Sequence, residues 1–415
     1  FLLLPFYFLL TKTIMLRLSD FYSIQRGTMR KIRSGIIGAG FIGPQHIEAA
    51  RRLGYVDFHA IATSDYESAK KKADHLGIEF AYDTYDELLG DPTIDVVHIC
   101  TPNYLHRPIV LATLRAGKHV ICDKPLAMNA IEAKEMRDAA RASGLVNAVS
   151  FNYRFNPLVQ QGRAMVAKQE LGEVRFVHGC YLQDWLLYET DFSWRLEADK
   201  GGASSSVGDI GSHWCDTAQF ITGLQIKRVL ASLSTMVQLR QKPTGARPAF
   251  ASGGNSSTEN FLVTSDDVGS VLLEFDNGAQ GAFSVGQICP GHKNDLQIEV
   301  NGAKSSLRWV QERPDEMWLG YRDKPNGQLL RDANLLDDSV KHYANLPGGH
   351  GEGWADAFKN LMASIYSFIG EDRDMLKDAD KIAFPTFEDG YRINCIVDAI
   401  VRSNQNRSVW TDVEY

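Results

Sequence analysis

The stretch that most constrains this chain is Gly38-Ala39-Gly40-Phe41-Ile42-Gly43, which follows an apolar β-type run, Ile32 to Ile37, and leads into a helical segment, roughly Gln45 to Leu53. A strand that passes through closely spaced glycines straight into a helix is the opening turn of a dinucleotide-binding fold. Gly38 permits the tight turn, Gly40 the close approach of a pyrophosphate, and Gly43 the packing of helix on strand. The helix then aims its free N–H groups and positive dipole end at the phosphates. Phe41 and Ile42 belong to the same turn and count with the glycines as cofactor-binding. The glycines alone are a weak signal, because any Gly-rich turn carries them. The strand before, the helix after and the alternation beyond favour a real site.

That alternation runs to about residue 151. Strands are expected at Phe58–Thr63, Asp95–Cys100, His119–Cys122 and Val146–Ser150, and helices at Glu67–Leu76, Arg107–Ala116 and about Ala130–Ser143, with a short helical piece from Asp86. Strands and helices at this spacing predict an α/β fold with a doubly wound parallel sheet over residues 29–151, binding ligands at the carboxyl ends of its strands. From residue 152 to 415 the texture is different. Val174–Tyr181, Ile226–Leu239, Phe261–Val263, Gly269–Phe275, Gly281–Val285, Leu296–Val300 and Ser305–Val310 read as strands, with Asp276-Asn277-Gly278 and Asn301-Gly302 as hairpin turns. This predicts an α+β domain with a large, mostly antiparallel open sheet. Helices are expected at Pro157–Gln169, Val207–Ile221, Gly353–Ile369 and Phe387–Ser403, the C-terminal one packing back on the first domain. Residues 241–257 are expected to form a long loop, and residues 1–28 to lie outside the fold as an extraneous or disordered extension.

Composition removes several function classes. A net charge of −7 leaves no basic footprint for nucleic acid or an anionic membrane. The apolar run at the amino end is too short to span a bilayer. Six cysteines without a Cys-x-x-Cys pair point to a reducing, cytoplasmic setting rather than a disulfide framework. No metal is expected: His213 and Cys215 are two residues apart, and no second ligand pair accompanies them.

Three places carry candidate chemistry. Asp123-Lys124-Pro125 ends a parallel strand, where ligands bind, and the Pro stiffens the backbone beside the ammonium; a solvated surface charge is the bland reading. Asp209 and His213, four apart, share one face of an α-helix, so a carboxylate could orient an imidazole and favour its charged form; a helix-surface pair explains them too. Pro347-Gly348-Gly349-His350-Gly351-Glu352-Gly353 is a Gly-rich loop around one His, equally readable as a tight turn.

These motifs together resemble a known family. Gly38 to Gly43, Thr101-Pro102-Asn103 with His106, Asp123-Lys124-Pro125, Phe151-Asn152-Tyr153-Arg154 and Asp209-x3-His213 occur in the order seen in the glucose-fructose oxidoreductase, inositol dehydrogenase and rhizopine-catabolism (Gfo/Idh/MocA) proteins. The similarity covers about residues 31–412. It implies a Rossmann domain followed by an open antiparallel sheet, and an NAD(P)-dependent oxidoreductase acting on a secondary alcohol of a sugar, polyol or sugar derivative. The family's Lys, Asp and His fall on Lys124, Asp209 and His213. Asp123 stands where the family usually has Glu, one methylene longer. His213 is then expected to take the hydroxyl proton, Lys124 to hydrogen-bond the same oxygen, and Asp209 to orient His213. Thr101, Pro102, Asn103, His106, Asp123, Lys124 and Asn152 join the glycines as cofactor-binding.

Aromatic planes among hydrogen-bonding groups suit a sugar ring, so Trp185, Trp194, Arg195, Tyr153, Arg154 and His350 are candidate substrate contacts beside Lys124, Asp209 and His213. Core or subunit packing is an equal reading for Trp194. For the cofactor, the acid expected about twenty residues past the glycines is displaced: Thr63 and Ser64 precede Asp65. The reading leans to NAD over NADP. The open sheet predicts a homodimer or homotetramer through its free face. Two rival functions, a dinucleotide-sensing regulator and an NAD-dependent glycosidase, share the fold; a sensor has no use for a base.

Overall fold

The structure is a computed structural model that describes residues 31–245 and 257–415. Residues 1–28, and most of the loop expected at 241–257, lie outside the described residues.

Six short strands, β1 (Ile32–Ile37), β2 (Val56–Ala62), β3 (Phe80–Tyr82), β4 (Val96–Ile99), β5 (His119–Cys122) and β6 (Asn147–Val149), form one sheet. Its order is β3-β2-β1-β4-β5-β6 and every pair is parallel. This is the doubly wound order of a dinucleotide fold, reversing direction between β1 and β4. All four residues of β4 are buried, as a strand covered on both faces requires. The connecting helices are α1 (Ile42–Arg51), α2 (Tyr66–Leu76), α3 (Tyr85–Gly90), α4 (His106–Arg115) and α5 (Ala130–Ser143). Side chains of Asp65, Thr84 and Asn129 cap α2, α3 and α5 by accepting from the N–H of Ser68, Glu87 and Glu132.

The second sheet has nine strands: β7 (Val174–Leu182), β8 (Ile226–Ser234), β11 (Val268–Phe275), β12 (Gln280–Gly286), β13 (Asp295–Gly302), β14 (Ser306–Val310), β15 (Glu316–Gly320), β16 (Gly327–Leu330) and β17 (Thr411–Asp412). Its order is β16-β15-β14-β13-β7-β12-β11-β8-β17, antiparallel except for the parallel pair of β12 with β7. Helices α6 (Pro157–Ala167) and α7 (Ser212–Thr222) cover one face. Trp214 of α7 is fully buried, stacks on Phe283 at 4.6 Å and donates to the Gln297 carbonyl at 2.9 Å. It can do so because Gly179 has no side chain; a Cβ there would lie 1.9 Å from that carbonyl oxygen.

Two long helices complete the fold. Helix α8 (Trp354–Gly370) lies on the first sheet, where Tyr366 meets Ser34 of β1. Helix α9 (Phe387–Gln405) reaches both sheets, Asn394 donating to the Ala127 carbonyl and Ser403 accepting from the Ala231 N–H.

Two stretches differ from the sequence reading. The strand expected over Ile226–Leu239 stops at Ser234, because side chains take over the backbone there: Asp267 accepts from the Val237 N–H and Thr235 donates to the Ser265 carbonyl. Beyond it, β9 (Leu239–Pro243) pairs with β10 (Thr258–Leu262) as a separate two-stranded arm, so the expected loop begins with strand, residues 241–243. The helix expected over Val207–Ile221 opens as a π-turn, Val207–Gly211, before α7 begins.

Candidate active site

The Gly38–Gly43 turn sits at the carboxyl end of β1. Gly38 has φ +85° and a Cβ on it would meet the Cys100 carbonyl at 2.7 Å; a Cβ on Gly43 would meet the Gly38 carbonyl at 2.7 Å. Both positions are therefore closed to larger residues. Gly40 faces open space, with no atom within 4 Å of a Cβ, the clearance a pyrophosphate needs above a helix N-terminus. Around the same strand ends, Thr101 Oγ1 and Asn152 Nδ2 are buried polar atoms without a hydrogen-bond partner. Few such atoms stay unpaired in a native interior, and both fit a bound nicotinamide nucleotide. Asn103 donates to the Gly201 carbonyl at 2.9 Å. His106 works differently from expectation. It is fully buried, and its ring lies between the carbonyls of Thr101 at 2.9 Å and Pro125 at 3.0 Å, so it fastens two loops from beneath. Asp65 is used as the cap of α2, also accepting from Ser64 Oγ at 2.8 Å.

Lys124 follows β5 and precedes a cis Pro125. Its Nζ donates to Asp209 Oδ1 at 2.7 Å and to the Asp209 carbonyl at 2.9 Å. Arg195 Nε reaches the same Oδ1 at 3.2 Å, and Gln287 Nε2 donates to Oδ2 at 2.9 Å. The two cations, Lys124 ahead of Arg195, outweigh burial and hold the Asp209 carboxyl well below the usual carboxylate range. The π-turn makes this possible. Asp266 binds its start, accepting from the N–H of Ser205 and Val207 and from Ser206 Oγ, and the widened turn directs Asp209 towards Lys124.

His213 stands in α7 inside an aromatic box, with ring centroids of Tyr153, Phe151 and Tyr181 at 4.9, 5.6 and 6.3 Å. The expectation that Asp209 orients it and keeps it charged is corrected. Asp209's hydrogen bonds go to Lys124, Arg195 and Gln287. Burial, and then the Lys124 charge, push the imidazole down to about 3, against the opposing pull of Asp209 and Asp123. The four-residue spacing misled because the π-turn rotates Asp209 off the α7 face. His213 is a neutral ring.

Beside it, the hydroxyls of Tyr153 and Tyr181 lie 2.7 Å apart, and Asn294 Oδ1 accepts from Tyr181 at 2.5 Å. Gln183 Nε2 donates to Asn294 Oδ1, and Gln183 Oε1 accepts from Trp185 Nε1. Burial is the main reason the Tyr153 hydroxyl is pushed up to about 12. Arg195 stacks over Trp194 at 4.5 Å. Two expected site residues are engaged elsewhere. Arg154 forks onto Asp216 at 2.9 and 2.5 Å and onto Asp389 at 2.9 Å, tying α7 to α9. His350 is exposed, its carbonyl held by buried Arg331, and among the described residues no hydrogen bond or ion pair joins it to Lys124, Asp209 or His213. Gln287, Gln183, Asn294 and Tyr181 belong to the cluster and were missed; amides one residue beyond a strand end carry no motif.

Family models match both halves of the chain: "Oxidoreductase family, NAD-binding Rossmann fold" over residues 32–151 and "GFO/IDH/MocA C-terminal domain" over 159–308. A levoglucosan dehydrogenase of Pseudarthrobacter phenanthrenivorans is 31% identical over 93% of this chain and 99% of its own length. The chain belongs to the Gfo/Idh/MocA family. It is an NAD(P)-dependent oxidoreductase. Among solved structures, levoglucosan dehydrogenase in complex with NADH and L-sorbose superposes with a TM-score of 0.83, at 29% identity over 93% of this chain and 100% of that one. An inositol dehydrogenase homolog from Azotobacter vinelandii, complexed with NADH and myo-inositol, gives 0.81 at 27% identity, over 92% and 98%. Among the described residues no helix is long and apolar enough to cross a membrane, and no group of three or more potential ligands could hold a metal ion.

Proposed function

We propose that the protein oxidises a secondary alcohol of a cyclic sugar or polyol, with His213 as base and Lys124 as the group that stabilises charge on the reacting oxygen. The observation that carries this is the opposition of a neutral imidazole and an ammonium fixed by Asp209 at one strand end. The Gly38–Gly43 turn, Thr101 and Asn152 would hold the nicotinamide nucleotide, which accepts a hydride from the carbinol carbon when bound. His213 takes the hydroxyl proton, and the carboxylates of Asp209 and Asp123 favour that proton on the ring. Lys124 donates to the same oxygen as negative charge develops. Asp209 sets the ammonium's position rather than the imidazole's.

Trp185, Trp194 and Arg195 give the apolar planes and polar edges that a sugar ring matches. The relatives' ligands, levoglucosan, sorbose and myo-inositol among them, support ring-bearing substrates. We lean to NAD with modest discrimination, supported by the NADH complexes of those neighbours and by the carboxylate of Asp65. The second sheet leaves Leu272 and Phe176 exposed, which supports pairing with a second copy as dimer or tetramer. All six cysteines are free thiols, in keeping with a cytoplasmic setting. A panel of anhydrosugars, aldoses and cyclic polyols, read at the NADH absorbance, tests the reaction. Turnover with at least one is expected; none, with NADH binding intact, would overturn it.

A further inference from the structure

Behind Lys124 a second polar cluster is sealed inside the first sheet. Ser34 on β1, His46 on α1, His98 on β4 and Tyr366 on α8 are all fully buried. Ser34 Oγ lies 2.6 Å from Tyr366 Oη, Tyr366 Oη 2.6 Å from His98 Nε2, and His98 Nδ1 2.9 Å from His46 Nδ1. The far nitrogen of His46, Nε2, is buried without a hydrogen-bond partner. It faces Asp123 Oδ1 at 4.0 Å, and that same oxygen accepts from Ser150 Oγ at 2.5 Å. Asp123 is the residue directly before Lys124.

One donor order satisfies every link with both rings neutral. An ionised carboxylate only accepts, so His46 turns an N–H at Nε2 towards Asp123 and accepts at Nδ1 from His98. His98 then accepts at Nε2 from the Tyr366 hydroxyl, which accepts from Ser34. Burial holds the His98 ring well below its ordinary range, consistent with a neutral link. Each group donates towards Asp123, and the order ends on its charge.

We propose that this chain is the rear support of the reacting lysine, and that His46 is a positioning residue acting on Lys124 through the Asp123 carboxylate. The inference rests on the reading that Lys124 acts on the substrate oxygen. The bland alternative is a polar clip that only fastens α8 to the sheet. The two differ in one respect: a clip affects folding, whereas a support affects the lysine and needs Asp123 to do so.

The experiment is a double-mutant cycle in the full-length enzyme with NAD and its best sugar or polyol substrate. His46→Leu is expected to lower kcat about tenfold while KM for NAD stays within about twofold, and His46→Gln, which keeps an N–H donor, to recover most of the loss. On the Asp123→Ala background His46→Leu should change kcat by less than about twofold, because contacting residues that act in series are not additive. Equal losses in both backgrounds, or a fall in Tm with unchanged kcat per folded enzyme, would overturn the proposal. If His46→Leu fails to fold, Tyr366→Phe, which removes only the hydroxyl, is read in the same cycle. Lys124→Ala separates the two claims. Near-normal turnover there removes the lysine's role and the support with it, whereas an inactive Lys124→Ala beside an additive cycle removes the support alone.

Discussion

Two polar clusters flank Asp123-Lys124-Pro125, and they are built on opposite principles. In front, Lys124, Asp209 and Arg195 keep side-chain exposures of 15%, 13% and 19%, and both side-chain contacts among them pair opposite charges. Behind, Ser34, Tyr366, His98 and His46 are sealed and linked to one another by hydrogen bonds alone. Removing one member of a partly buried charge pair strands its partner, whereas a neutral chain loses one hydrogen bond. On the proposed function the front would carry the reaction's electrostatics and the rear its geometry, and perturbations should sort accordingly.

The largest effects belong to the front. Lys124→Ala and His213→Ala are each expected to depress kcat/KM by about two to four decades, the range for losing acid–base or oxyanion help. NADH affinity, measured by fluorescence titration, should change little, since the glycine turn is elsewhere. Near-normal turnover in either variant would take that residue out of the mechanism and erase the contrast between the clusters.

Next comes a charge cluster that serves neither side. Arg154 is bound to Asp216 and Asp389, and burial lifts the Asp216 carboxyl to about 6 even beside Arg154. Arg154→Leu leaves the buried Asp216 carboxyl facing the partly exposed Asp389 with no cation between them, and should cost about 3–5 kcal/mol of stability, read by urea unfolding. Activity per folded molecule should survive. A selective loss of sugar affinity instead would return Arg154 to the site wall.

Acid titration gives a smaller and directional effect. His213 has its pKa lowered to about 3, against about 6.5 in the unfolded chain. As pH falls from 6.5 towards 3, the unfolded chain binds a proton that the folded ring refuses, so stability is lost on acidification over that window. Asp209, held below its ordinary value by Lys124 and Arg195, stabilises the fold above the carboxylate range and gives that up only at lower pH still. The Tm of His213→Asn should therefore gain on the wild type between pH 6.5 and 4.5. A Tm difference independent of pH would mean that the folded ring titrates normally.

The glycine turn and the β/α alternation were legible because each is written in one contiguous segment: Gly38, Gly40 and Gly43 need no distant partner to be understood. Lys124, Asp209 and His213 stood out by their place at a strand end and by their spacing, and the family resemblance gave them roles, but their wiring was not legible. Reading Asp209 and His213 as neighbours assumed an unbroken α-helix, and the π-turn is fixed by Asp266, 59 to 61 residues downstream of the groups it binds. Gln287, Asn294 and the His46–His98–Tyr366 chain were invisible for a related reason. Their members come from elements far apart in sequence, and each alone looks like an ordinary polar residue.

The smallest expected effect lies at the far edge of the front, where the cofactor ribose would sit. Asp65 is exposed and ionised, held low first by the Ser68 N–H and then by Ser64 Oγ. Its charge opposes a 2′-phosphate, although its oxygens are occupied in capping α2. Lys72 is engaged elsewhere, donating to the Ala39 carbonyl within the glycine turn. One negative charge without a positive counterpart favours NAD, and its distance from ideal limits the preference to about two decades in kcat/KM. Asp65→Ala should narrow the ratio severalfold by improving NADP turnover, and should lower the Tm slightly through the lost cap. Steady-state kinetics with both cofactors reads the first, thermal unfolding the second. A strong NADP preference that Asp65→Ala leaves untouched would mean that Thr63, Ser64 or a lysine of α2 holds the phosphate, and the NAD reading would be wrong.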